Sequence, residues 1–120
     1  MITATCHCGN IRIETSRKPS VMRECNCSIC RRYGAIWAYY SRKTVKISSK
    51  PGTTSAYLWR DRVIEFYHCN VCGCITHYEG ADKREGSRVA VNARMLPPEI
   101  ISDIPIKLFD GADTWKYIEK

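Results

Sequence analysis

Eight cysteines stand in this 120-residue chain, in three tight groups: Cys6-His7-Cys8, Cys25-Asn26-Cys27-Ser28-Ile29-Cys30 and Cys69-Asn70-Val71-Cys72-Gly73-Cys74. That grouping constrains the fold more than any other feature. About one residue in fifteen is cysteine, below the ~8–10% of a disulfide scaffold but more than packing alone uses. In Cys-x-Cys the two-residue period of a strand puts both sulfurs on one face. Cys69 to Cys72 closes a tight turn, and Gly73 fits a knuckle whose backbone glycine adopts without steric cost. Thiolate-rich sets select zinc or iron–sulfur, and these short spacings favour zinc. A disulfide framework is disfavoured, because residues two apart in a strand are poorly placed to bridge. The start of the chain also lacks the basic and apolar pattern of a secretory leader, so a reducing, cytoplasmic setting is expected.

Eight thiols could make two closed four-cysteine sites, or one closed site and one open one. A site built from Cys6, Cys8, Cys69 and Cys72 would tie the start of the chain to its last third. Zinc binding in finger peptides is worth ~10–16 kcal/mol, comparable with the entire ~5–15 kcal/mol stability of a domain. Cys25, Cys27 and Cys30 offer three thiolates within six residues. Three protein ligands leave one position of a tetrahedral zinc for water or substrate, which marks a reactive site. Cys74 could be a fourth ligand there or a thiol facing away from the knuckle; spacing leaves both open.

The length suits one domain spanning residues 1–120. With 26% charged and 44% hydrophobic residues the chain is neither low-complexity nor disordered. Its longest apolar run, Ala35 to Tyr40, is far short of the ~20 residues that span a bilayer, so no membrane partner is expected. The formal +7 comes from basic residues standing singly or in pairs such as Arg31-Arg32, Arg42-Lys43 and Lys83-Arg84, among interleaved acids. That dispersal argues against a nucleic-acid surface. A divalent ion carries a net −2 on four thiolates and −1 on three, which would bring the loaded chain to about +4.

Alternation of apolar and polar residues dominates, so the chain is expected to be mainly β. Strands are predicted at Ile11–Thr15, Met22–Cys25, Ala35–Tyr40, Thr44–Ser48, Ser55–Trp59, Val63–His68, Ile75–Glu79, Val89–Asn92 and Ile106–Phe109. Breaker-rich turns lie at Lys50-Pro51-Gly52, Trp59-Arg60-Asp61-Arg62 and Glu79-Gly80-Ala81-Asp82. Helices are short and minor. One turn is predicted at Ser28–Arg32, one at Pro97–Ile100, where proline suits a helix start, and one in the tail at Asp113–Ile118, capped by Asp113. Neither heptads nor a long apolar face points to an oligomeric state.

The three cysteine groups in this order, with Phe109-Asp110-Gly111-Ala112-Asp113-Thr114-Trp115 near the end, resemble the glutathione-dependent formaldehyde-activating enzyme family, which includes centromere protein V. The likeness runs from Cys6 to Trp115. It implies a β-tent of coiled antiparallel sheets and two zinc ions per chain. By that likeness Cys6, Cys8, Cys69 and Cys72 hold a structural zinc, and Cys25, Cys27 and Cys30 a catalytic one. Cys74 departs from the family pattern. The implied activity is a carbon–sulfur lyase reaction joining glutathione, or a related thiol, to formaldehyde or a similar aldehyde. A non-catalytic glutathione carrier and a zinc-stabilised macromolecule-binding module are the alternatives.

Arg31 and Arg32 follow the last cysteine of the second group directly and could meet the carboxylates of an anionic thiol. Trp37, Tyr39 and Tyr40 could wall a cleft. His7, His68 and His77 neighbour cysteine groups but are not taken as ligands. If the first and third groups share an ion, replacing Cys6 and Cys72 together by serine is expected to abolish the cooperative thermal transition; a double variant melting at the native temperature would refute the shared site.

Overall fold

The computed structural model describes residues 1–60 and 62–118; Asp61, assigned to a turn above, lies outside the described residues. The chain is mainly β, in two sheets. The smaller sheet has order β1 (Ile2–Thr5), β2 (Arg12–Thr15), β5 (Val45–Ser48). The larger runs β11 (Tyr117–Ile118), β10 (Ile106–Phe109), β3 (Met22–Cys25), β4 (Trp37–Ser41), β9 (Arg88–Asn92), β8 (Ile75–Gly80), β7 (Ile64–Cys69), β6 (Thr54–Trp59). All pairings are antiparallel except that of β10 with β3. Two single-turn helices, α1 (Cys30–Tyr33) and α2 (Pro98–Ile101), complete the fold. None of the described helices is long and apolar enough to cross a membrane.

Strands β4 and β9 are buried on both faces, and this sets the positions of the cysteines. Ala38, Tyr40, Val89 and Val91 face a core shared with Ile11, Ile13 and Cys69. Trp37 and Ala90 face a second core, with Phe66, Phe109, Cys25, Cys27 and Cys30. The alternation of side chains across a strand therefore puts one cysteine group in each core.

Most predicted strands form, with Met22–Cys25 and Ile106–Phe109 at the expected bounds. The tail does not follow its helical pattern. Asp110 captures the capping interactions: its Oδ2 accepts from the Thr114 N–H at 3.1 Å and from Thr114 Oγ1 at 2.9 Å. The chain then turns back at Trp115, which has a left-handed φ of 61°, and Tyr117 pairs with Phe109 as a strand. Cys6-His7-Cys8 likewise lies in a turn between β1 and β2 rather than in a strand.

His77 is buried, with Nδ1 2.8 Å from Thr76 Oγ1. Its Nε2 lies 3.6 Å from Glu79, a carboxylate already paired with Arg42 and Lys83. Burial, and then the Lys83 and Arg42 charges, push its pKa down to about 4 from 6.5. The unfolded chain thus binds the extra proton, and stability is lost as pH falls from 6.5 towards 4, by roughly 3 kcal/mol at most. Urea midpoints at pH 7 and pH 4.5 should fall less in His77→Gln than in the wild type; equal falls would discount His77.

Candidate metal centres

The turn Cys6–Gly9 and the knuckle Cys69–Gly73 place four sulfurs together. The Sγ atoms of Cys6, Cys8, Cys69 and Cys72 all lie within 4.8 Å of one another, with Cys6–Cys8 and Cys8–Cys69 each at 3.6 Å. A tetrahedral ion with sulfur at ~2.3 Å has edges of about 3.8 Å, so this donor set fits one closed thiophilic metal site. Gly9 and Gly73 take positive φ, at 81° and 82°, where the chain reverses behind each pair. Backbone amides point at the sulfurs: Ile11 N–H donates to Cys6 at 3.2 Å and Val71 N–H to Cys69 at 3.4 Å. The amides of Cys74 and Cys8 hold the Cys72 thiol down to about 5.

Cys25, Cys27 and Cys30 form a second set within 4.8 Å, all three buried. Cys25 ends β3, Cys30 opens α1, and the bend between them brings the sulfurs together. Trp37 Nε1 donates to Cys30 Sγ and Cys30 N–H to Cys27 Sγ, each at 3.4 Å. Burial pushes the thiols of Cys25 and Cys30 up. Burial also opposes ionisation of Cys27, but the amides and the Cys30 thiol aimed at it prevail and bring it below the ordinary range. Three donors in a pocket fit a metal with one position left for a ligand.

Cys74 is not brought to this trio. Its sulfur accepts from the His7 amide and lies against Cys72, beside the four-cysteine set. None of the eight cysteines is joined in a disulfide.

A cavity of about 120 Å³ opens over the three cysteines, walled by Trp37, Tyr39, Phe66, Tyr78 and Phe109. Strand register builds one wall, since Phe66, Tyr78, Ala90 and Tyr39 stand side by side across four strands. Tyr40 points to the opposite face, where its hydroxyl donates to the Arg17 carbonyl at 3.1 Å. Arg31 lines two grooves flanking the trio. Arg32 turns back, donating to the Ser28 carbonyl at 2.6 Å. Arg23, Arg60 and Arg88 also line the cavity, and none of them stands out in the sequence taken residue by residue. Period-2 spacing was the available signal: Arg23 is two residues from Cys25 on β3, and Arg88 two from Ala90 on β9.

The tail loop closes over this site. Asn26, between two of the cysteines, donates from Nδ2 to Asp110 Oδ1 and accepts from Ala112 N–H, both at 3.0 Å. Gly111 donates its N–H to Cys25. A Cβ at Gly111 would stand 2.6 Å from Cys25 Sγ and 3.1 Å from the Cys27 Cβ. Trp115 packs edge-on against Phe109 at 5.3 Å, and Arg60 stacks on it at 4.9 Å.

A family model described as glutathione-dependent formaldehyde-activating enzyme matches residues 1–102. A crystal structure of a Rhodobacter sphaeroides protein, solved as a Northeast Structural Genomics target, is similar with TM-score 0.69 and 27% identity, over 88% of this chain and 99% of that one. No curated protein matches. The family match ends before the Asp110–Trp115 loop that packs on the trio.

Gly111→Ala is expected to weaken metal binding at the trio by ~10–100-fold, the usual cost of disturbing a supporting shell, and to leave the four-cysteine set loaded. Cobalt titration followed by thiolate-to-metal absorbance would show one of two equivalents weakened; two unchanged equivalents would mean the loop plays no part.

Proposed function

The chain belongs to the glutathione-dependent formaldehyde-activating enzyme family, and from that premise we propose that it joins a thiol to a small aldehyde at the three-cysteine set. In this reading the whole chain is one catalytic domain holding two zinc ions, working in a reducing compartment. Cys6, Cys8, Cys69 and Cys72 hold a structural ion. Cys25, Cys27 and Cys30 hold the catalytic one. The observation that carries the reading is the contrast between the two sets: four sulfurs close one, while three sulfurs stand under an aromatic-walled cavity in the other.

The reaction forms one carbon–sulfur bond. The thiol sulfur attacks the aldehyde carbon, the carbonyl π electrons move to oxygen, and the proton lost by the thiol is balanced by one gained at that oxygen. Run in either direction it is chemistry of the carbon–sulfur lyase type. Bound zinc supplies a Lewis-acidic position that favours thiol ionisation. A free thiol of pKa ~8.5 is only a few per cent ionised at pH 7, so this gain is at most about thirtyfold. The chain's own residues must supply the rest through orientation. Trp37, Phe66 and Tyr78 pack over the sulfur-lined floor, and burial pushes the pKa of the Tyr39 hydroxyl up.

Calorimetric titration of the zinc-loaded protein tests the reading. Reduced glutathione is expected to give saturable heat and S-methylglutathione, whose sulfur carries no proton, a much weaker response. No heat from reduced glutathione would sink the thiol reading and favour a non-catalytic zinc module; binding without faster adduct formation from added formaldehyde would identify a carrier.

A further inference from the structure

Arg23 sits in an aromatic enclosure beside the three cysteines. Its guanidinium lies 4.3 Å from the Phe109 ring centre and 5.2 Å from those of Tyr39 and Tyr117. It donates to the Tyr117 hydroxyl through Nη2 at 2.9 Å and Nε at 3.2 Å. Arg88 stacks on the same Tyr39 ring at 4.5 Å. Among the described residues neither guanidinium is paired with a carboxylate, although acids satisfy Lys18, Arg42, Lys83 and Arg84 elsewhere.

Aromatic rings and one phenol hold these two cations. Stacking on a ring offsets part of the desolvation of a guanidinium, but a planar fork of donors is best satisfied by a carboxylate, which it meets with two parallel hydrogen bonds. Tyr117 and the rings use part of Arg23 and leave the rest facing the cavity. The distance suits a ligand that also reaches the sulfurs. Arg23 and Cys25 are two residues apart on one face of β3, so their Cα atoms are about 6.8 Å apart, a span that a peptide-sized thiol covers.

We infer that Arg23 and Arg88 form a carboxylate-reading pair, and that the thiol used here must carry a carboxylate placed against Tyr39 while its sulfur faces Cys25, Cys27 and Cys30. The inference rests on the thiol reading above and sharpens it. These two arginines, not Arg31 and Arg32, set thiol specificity.

The test compares glutathione with glutathione diethyl ester, which keeps the thiol and the peptide frame but neutralises both carboxylates. Calorimetry on zinc-loaded wild type should show glutathione bound roughly ten- to a hundredfold more tightly, the worth of a charge-assisted contact. Arg23→Gln and Arg88→Gln should each weaken glutathione and leave the ester unchanged, so that discrimination collapses while metal content stays native and, in Arg88→Gln, the melting temperature with it. Arg23→Lys should recover only part, because it restores charge without the fork. Equal binding of both ligands by the wild type would overturn the arginine assignment and leave the thiol reading standing. Discrimination that survives both glutamine variants would overturn it as well. Failure of both ligands to bind would remove the thiol reading and the inference with it. Should Arg23→Gln fail to fold, Arg88→Gln, at an exposed position, and the ester comparison still decide.

Discussion

Two strands buried on both faces govern the arrangement of this molecule. Because β4 and β9 have no solvent side, their alternating residues must fill two cores, and each core carries one set of thiols. Neither site is completed by one local segment alone. The four-cysteine set draws together residues about sixty positions apart, from the turn after β1 and the turn between β7 and β8. The trio is local in sequence, but its walls come from β4, β7, β8 and β10. Chain-distant walls around a local donor set give a site whose cavity exists only once the large sheet is complete.

The two sets differ in what surrounds the sulfur. Around the first, N–H groups converge from Ile11, Val71, Cys74 and Cys8, as suits thiolates that stay bound to an ion and need their charge dispersed. Around the trio the amides of Cys27, Ile29, Cys30 and Gly111 meet the sulfurs within an aromatic surround, and burial raises two of the three thiols. The cations nearest the trio are the arginines of the cavity, held by rings rather than by acids, so their field stays directed at whatever occupies the cavity instead of being cancelled by a neighbouring carboxylate.

Much of this was legible in the sequence, because cysteine spacing and strand alternation are local signals. The failures share a cause. The tail from Asp113 to Ile118 has helical spacing, yet Asp110 and Thr114 satisfy each other first, and β10 offers Tyr117 and Ile118 an open edge. Cys6-His7-Cys8 has the two-residue period of a strand, but Gly9 reverses the chain at once, and the two sulfurs meet through a turn. Tyr40 adjoins Trp37 and Tyr39 in an aromatic run, although alternation alone separates it from them. Arg31 and Arg32 are adjacent to Cys30 in sequence, but which arginine faces the cavity depends on register across the sheet, and no single segment shows that.

The tail loop shows how a weak motif becomes a strong constraint once the fold is known. Asp110, Gly111 and Trp115 are ordinary turn and surface residues in isolation. Placed beside Asn26 they become interdependent: Asp110 and Ala112 fix both ends of the Asn26 amide, that amide sits between Cys25 and Cys27, and Gly111 is the residue small enough to lie against both cysteines. Substitution at any of the three should therefore be felt first at the trio. Trp115 then adopts a left-handed backbone, costly for a bulky side chain, in a position where its ring covers Phe109 and receives Arg60. Strain held at the rim of a sulfur-lined cavity is retained because the loop completes its wall.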